Sequence, residues 1–287
     1  MEFRHFTDAD YQAVCDFLIA LNRGDRTHIH WNWARFEWMY EHPAFDKSKT
    51  DAIGLWIDGG RVVGAAIYDQ YFGEAFIGVL PEYVGLYREV LKYAYGALKD
   101  ETGLAIAISD GNTAEIEAAK AEGFLPIEQS ETVMRIDLDH TFPTVLPDGF
   151  RLTHPDPVEQ AEALQWLFWQ GFDHGEDRAE FEREEEIVPR LRKHFRRELG
   201  PAAVDADGAL AACCCLWLHD GTDYAYVEPV CTVPKHRGKG LAKALIYEAQ
   251  NRARSLGARE AFVISDLPFY EKLGFRKAYH YTFYRKP

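Results

Sequence analysis

Residues 233–245, VPKHRGKGLAKAL, set two glycines, Gly238 and Gly240, between an apolar strand pattern and the start of an amphipathic helix. Glycine adopts backbone conformations that side chains forbid and lets a ligand approach the main chain. The unpaired N–H groups of a first helical turn, with the positive end of the helix dipole, then favour a phosphate. Lys235, His236, Arg237 and Lys239 add positive charge around this turn. The spacing excludes two commoner nucleotide motifs. No Ser or Thr follows Lys239 to hold magnesium, and Lys243 stands where a dinucleotide fingerprint needs its third glycine.

Other reactive side chains carry weaker signals. His28 and His30 form a lone H-x-H pair without further ligands, and no metal is expected. Cys213, Cys214 and Cys215 alternate across a strand with no partnering His, which predicts packing residues and not a nucleophile. In HIHWNWARFEWMYEHPAFD (28–46), Trp31, Trp33 and Trp38 read as core aromatics or as the wall of a pocket for a cationic amine. The charged run 173–199 reads as the solvated face of a helix.

The elements that hold these residues occur twice. EFRHF, a Thr7-Asp8 cap and the helix YQAVCDFLIALN are matched by GFRLT and a helix after Asp156. The turn Asp58-Gly59-Gly60 before RVVGAAIYD is matched by Asp205-Ala206-Asp207-Gly208 before ALAACCCLWL. FIGVLPEY parallels EPVCTVPKH; each is followed by an amphipathic helix, a strand (LAIAIS, EAFVIS) and a Gly-Phe pair at 123–124 and 274–275. Landmarks recurring at one nearly constant offset predict a duplicated α/β domain, with mixed sheets and helices on their faces. HTFPTVLPDG has no helical or strand period and separates residues 1–143 from 147–287.

Composition narrows the function classes. The 287 residues carry a net charge of −14, with 47% hydrophobic side chains. That excludes a disordered chain and argues against a nucleic-acid binder, which needs a basic face. Acidic side chains outnumber basic ones 24 to 12 in residues 1–146 but only 22 to 20 in 147–287, so the second half suits a phosphate ligand better. Neither a membrane span nor a secretion signal is expected, and the five cysteines have neither disulfide nor zinc spacing. A cytoplasmic protein is expected.

Strand, V-x-P-x-x-R-G-x-G-x-A, helix, strand and FYEKLGF together resemble the GNAT superfamily of acetyl-CoA-dependent N-acetyltransferases over the whole second half. The family's pyrophosphate pattern Q/R-x-x-G-x-G/A reads here Lys235-His236-Arg237-Gly238-Lys239-Gly240, departing at Lys235. The resemblance implies that main-chain N–H groups of Arg237, Gly238, Lys239, Gly240, Leu241 and Ala242 hold the pyrophosphate. It implies that Cys231, Thr232 and Val233 pair with the pantetheine arm like an added strand. Ser265 lies near the family's Asn position. Tyr270 matches the tyrosine that protonates the departing thiolate, against the alternative of a core aromatic beside Phe269 and Phe275. Glu228 occupies a position from which members recruit a general base, against the alternative of a strand-edge Glu. The N–H of Val233 or Cys231 would polarise the acetyl carbonyl.

The first half lacks this equipment. LPEYVGLYREV (80–90) has one glycine, Gly85, and Asn112 reads as a helix cap. The expectation is two tandem GNAT-like domains, the first degenerate, transferring acetyl from acetyl-CoA directly to an amine of a small molecule or peptide. A non-catalytic acyl-CoA sensor is the alternative, and a third reading has both halves form one cleft. No step needs a metal, the acceptor is unidentified, and a homodimer stays open.

Overall fold

The computed structural model describes residues 1–287 apart from 185, 186, 190 and 192. Its elements begin β1 (Glu2–His5), α1 (Tyr11–Leu21), α2 (Trp33–Tyr40), β2 (Gly54–Asp58), β3 (Arg61–Tyr68), β4 (Glu74–Val79) and α3 (Tyr87–Leu98). Then follow β5 (Leu104–Ser109), α4 (Thr113–Ala121), β6 (Leu125–Asp137), β7 (Arg151–Thr153), α5 (Ala161–Gly171) and α6 (Arg178–Glu184). The chain ends with β8 (Ala202–Val204), β9 (Leu210–Trp217), β10 (Tyr224–Thr232), α7 (Leu241–Ser255), β11 (Glu260–Ile264), α8 (Pro268–Lys272) and β12 (Arg276–Lys286). Two compact units result. Residues 1–134, 264–270 and 276–287 form the first, and 135–263 with 271–275 form the second.

In the first unit the strands run β1-β2-β3-β4-β5-β12-β6. The Thr7–Asp10 capping box starts the first helical stretch, where Asp10 also pairs with Arg4. From there α1 buries Tyr11, Val14, Phe17, Leu18 and Leu21, the apolar stripe its sequence spacing promised. Strand β4 pairs in parallel with β5 only at Glu74–Ala105 and Ala75–Ile106. Gly78 lies on β4 beyond that pairing; a Cβ there would come within 2.8 Å of Leu21 and 2.9 Å of Trp31. Antiparallel pairing of β12 with β5, from Tyr281–Ser109 to Lys286–Leu104, draws the end of the chain into this unit. Compactness therefore groups the chain differently from the expected division at 143/147, because strand pairing follows backbone hydrogen bonds and not the repeat.

In the second unit the order is β7-β8-β9-β10-β11, antiparallel except for β10 and β11. Ala211, Ala212 and Cys213–Cys215 are all buried in β9. Their small side chains let α5 and α7 pack closely on β9 and β10. The parallel pairing of β10 with β11 covers only Tyr224–Tyr226 against Glu260–Phe262, so β10 runs on past its partner, as β4 does in the first unit. Among the described residues of the charged run 173–199, only α6 and a 3-10 turn at Arg197–Leu199 are helical, and Phe181 within it is fully buried. Its residues 185, 186, 190 and 192 lie outside the described ones. Among the described residues no helix is long and apolar enough to cross a membrane.

Candidate functional site

The turn between β10 and α7 is built by Pro234 and two glycines. Pro234 opens a 3-10 turn in which the N–H of His236 donates to Val233 O and that of Arg237 to Pro234 O. The Arg237 N–H is thus occupied, which corrects its expected place among the phosphate donors. Gly238 (φ 76°) and Gly240 (φ 88°) are left-handed, and no atom lies within 4 Å of where a Cβ on either would sit. Such alternation makes a concave cradle of N–H groups. The first intrahelical bond of α7 runs from Ala244 N–H to Gly240 O, so Leu241, Ala242 and Lys243 begin the helix with N–H groups lacking an intrahelical acceptor. Leu241 is buried and anchors this first turn in the core.

The basic side chains around the turn are not a uniform positive ring. Asp205, at the start of the turn after β8, is buried. Its Oδ2 accepts from Lys235 Nζ (3.3 Å) and His236 Nε2 (3.1 Å), and its Oδ1 from the N–H groups of Asp207 and Ala209. Burial alone would raise its pKa, but the hydrogen bonds from His236, Ala209 and Lys235 outweigh it and hold the carboxyl at about 2. Lys235 therefore faces Asp205. Arg237 bonds Thr232 O (3.0 Å), Gly171 O (2.9 Å) and Asp173 (2.9 Å), tying the end of α5 to the end of β10. Lys239 donates to His236 Nδ1 at 3.0 Å. The spacing of PKHRGKG announced these charges, but not the buried partner about thirty residues upstream. The acidic turn DADG was its only sequence signal.

Strand β10 slips in register against β9 between Val227 and Val230, and Glu228 sits at that slip. Its carboxylate accepts from Tyr226 OH at 2.6 Å, and its carbonyl from Trp217 Nε1 at 2.5 Å. Beyond the slip, Cys231 is opposite Cys213, and Val233 N–H donates to Ala211 O. That N–H is spent on β9, and strand alternation directs the Cys231 N–H the same way. Both expected carbonyl-polarising donors are corrected on this ground: Val230 and Thr232 are the residues whose N–H groups face away from β9. The Cys231 side chain is buried, its Sγ 3.7 Å from Cys213 Sγ and against Gly171, where a Cβ would approach to 2.7 Å. Beside Lys235 a cleft of about 590 Å³ opens between α5 and the β8–β9 turn, with Glu162, Trp166, Gln170 and Arg178 in its walls.

Two expected site residues belong to the other compact unit. Ser265 Oγ accepts the Leu267 N–H (3.2 Å) and shapes the entry to α8. Tyr270, on α8, is buried, its ring edge-on to Phe269 at 5.1 Å.

The first unit fills the equivalent place with its own side chains. After β4 the chain makes a 3-10 turn at Pro81–Leu86, and Gly85 is not left-handed, so no double-glycine cradle forms. Past the short β4–β5 pairing, Phe76, Ile77, Ala107 and Ser109 enclose about 10 Å³ together with His28, Trp31 and Tyr281. Tyr281 OH donates to Thr27 O (2.9 Å) and accepts from His30 N–H (3.2 Å). His28 Nε2 lies 3.2 Å from Tyr87 OH, and Asn112 Nδ2 donates to both Tyr87 OH and Glu115. Asn112 also caps α4 through Glu115 N–H, as its sequence position predicted. His28 and His30 therefore serve separate hydrogen-bond networks, His30 with Glu131 and Arg35. Trp31 and Trp33 are core residues.

A family profile described as Acetyltransferase (GNAT) family matches residues 161–275. Glucosamine 6-phosphate N-acetyltransferase of Trypanosoma brucei brucei is 44% identical over 59 residues, 20% of this chain and 40% of that protein. The match thus spans about two fifths of that relative's length. Among solved structures, a tandem GNAT protein from the clavulanic acid biosynthesis pathway superposes with TM-score 0.63 at 20% identity, covering 99% of this chain and 98% of that one. A GCN5-related N-acetyltransferase from Sphaerobacter thermophilus gives 0.59 at 18% identity, over 99% and 95%. A GNAT-family acetyltransferase from Colwellia psychrerythraea gives 0.57 at 13%, over the full length of both. These likenesses establish a shared fold.

Proposed function

We propose that the chain, whose residues 161–275 match the GNAT family profile, transfers the acetyl group of acetyl-CoA directly to an amine, with the donor held by residues 147–287. The observation that carries this is the contrast between the two strand-to-helix turns. One is an open, left-handed double-glycine cradle; its counterpart is a closed 3-10 turn beside a filled core. We read the chain as a tandem repeat whose first copy has lost its donor site.

The acceptor amine attacks the thioester carbonyl while its proton passes to Glu228, directly or through one water. Glu228 suits this work: its carboxylate is half-buried and oriented by the Tyr226 hydroxyl. Thr232 N–H, facing away from β9, offers a hydrogen bond to the developing oxyanion. Collapse breaks the C–S bond, and the thiolate takes a proton. Tyr270 is assigned that proton from its position in the motif; a phenol of pKa near 10 is comparable in basicity to a thiolate. For the acceptor, the relative's printed name makes an amino sugar phosphate the first compound to try.

The test is acetyl-CoA-dependent thiol release against an amine panel that includes glucosamine 6-phosphate, with acetylated product identified by mass. CoA binding without thiol release for any amine would replace the enzyme reading with the sensor reading. Failure to bind CoA would remove both.

A further inference from the structure

We propose that Asp205 and His236 are positioning residues that aim the Lys239 ammonium at the diphosphate of the bound coenzyme. This rests on the reading that the Gly238–Gly240 turn receives acetyl-CoA. Lys239 stands between the two left-handed glycines, so its backbone is part of the cradle while its four-carbon side chain would otherwise sample many rotamers. Instead Nζ donates to His236 Nδ1 at 3.0 Å and lies 5.6 Å above the Phe150 ring. An ammonium has only protons to offer, so Nδ1 accepts and the ring proton is on Nε2. That Nε2–H is directed at Asp205 Oδ2, 3.1 Å away. Phe150 meets the imidazole edge-on, 5.0 Å between centroids at 89°, and fixes its plane. Asp205 is itself immobilised by two backbone N–H groups of its own turn.

The charge pattern assigns the purpose. Lys235 pairs with Asp205 and Arg237 with Asp173, so each of those cations already faces a carboxylate. The Lys239 contacts, a neutral ring nitrogen and an aromatic face, hold the ammonium in place without cancelling its charge. A cation ordered before the ligand arrives spares that ordering on binding. The chain runs from a buried carboxylate through an imidazole tautomer to an ammonium at the anion site.

The histidine's two ends can be tested apart by calorimetric titration with CoA and with acetyl-pantetheine, which lacks the diphosphate. His236→Gln keeps a donor near Asp205 but removes the acceptor for Lys239. We expect it to weaken CoA about three- to tenfold, the effect of one long side chain no longer ordered in advance, and to leave acetyl-pantetheine unchanged. His236→Asn returns an oxygen near the Nδ1 position and should recover most of the loss. In a Lys239→Met background His236→Gln should add nothing further. Wild-type CoA affinity in His236→Gln would overturn the proposal, as would equal weakening of acetyl-pantetheine or an effect additive with Lys239→Met. Those outcomes leave the acetyl-CoA reading standing. Wild-type protein that binds no CoA would end both.

Discussion

Replacing Gly238 with Asp, and separately with Asn, isolates the electrostatic content of the turn proposed to hold the coenzyme phosphate. Gly238 has φ 76°, and a Cβ there meets nothing within 4 Å, so neither side chain is excluded by space. The left-handed backbone penalises an L-residue by about 1–2 kcal/mol, less for Asn and Asp, which hydrogen-bond locally. Both variants share that strain and nearly the same shape; they differ by one negative charge. A carboxylate about 4 Å from a phosphate charge is repelled by about 1 kcal/mol in bulk-water dielectric and about 4 kcal/mol at an effective dielectric near 20. At about 1.4 kcal/mol per decade, the Asp variant should bind CoA between about fivefold and several hundredfold more weakly than the Asn variant. Calorimetric titration at low salt measures the ratio, and raising the salt should shrink it because the turn is exposed. Gly85→Asp, in the first-unit counterpart, should leave CoA affinity alone. Equal affinities for the Asp and Asn variants would refute the argument, since no phosphate could then be lodged at residue 238.

Three further outcomes follow from the side chains described. Tyr270→Phe should lower kcat by about a hundredfold or more, the usual scale for losing a positioned acid, with the acetyl-CoA KM held; unchanged kcat would return Tyr270 to a packing role. Glu228→Gln should cut kcat on a similar scale of about a hundredfold, and Tyr226→Phe, which removes the phenol holding that carboxylate, should cut it less; wild-type kcat in Glu228→Gln would exclude Glu228 as the base. In the first unit, burial pushes Glu115 up to about 8, opposed by the Asn112 hydrogen bond. The folded chain thus keeps a proton that the unfolded chain releases near pH 4.5, so this contribution to stability is complete below that pH and is lost as pH rises through 8. Glu115→Gln keeps an acceptor for Asn112 and should melt with a flatter pH dependence between 6 and 8; an unaltered wild-type slope would contradict the buried, protonated carboxyl.

What could be read from the residues alone was whatever is local in the chain. Strand, proline, double glycine and amphipathic helix follow one another without interruption, so the cradle was legible, as were the Thr7 and Asn112 caps and the packing role of Cys213–Cys215. Pairing between distant segments was not. The register slip that sets Glu228 apart depends on β9 opposing β10, and no period in YVEPVCTV announces it. The same pairing consumes the Val233 N–H, so the donor proposed to polarise the carbonyl moves by one residue to Thr232, and strand alternation makes one residue the whole difference. Asp205 was visible only as a turn residue; its role exists because β8 and β9 bring that turn against Lys235 and His236. The sequence suggests a degenerate first half by a missing glycine; for the proposed reading, what fills the space is the stronger physical argument. Thr27–Trp31 is fastened by Tyr281 on β12, 254 positions from Thr27 and 251 from His30, and by the Tyr87–Asn112 pair. Restoring glycines to the Pro81–Leu86 turn would therefore not restore a coenzyme site, because the cleft behind it is already occupied by side chains whose removal would leave buried partners unsatisfied.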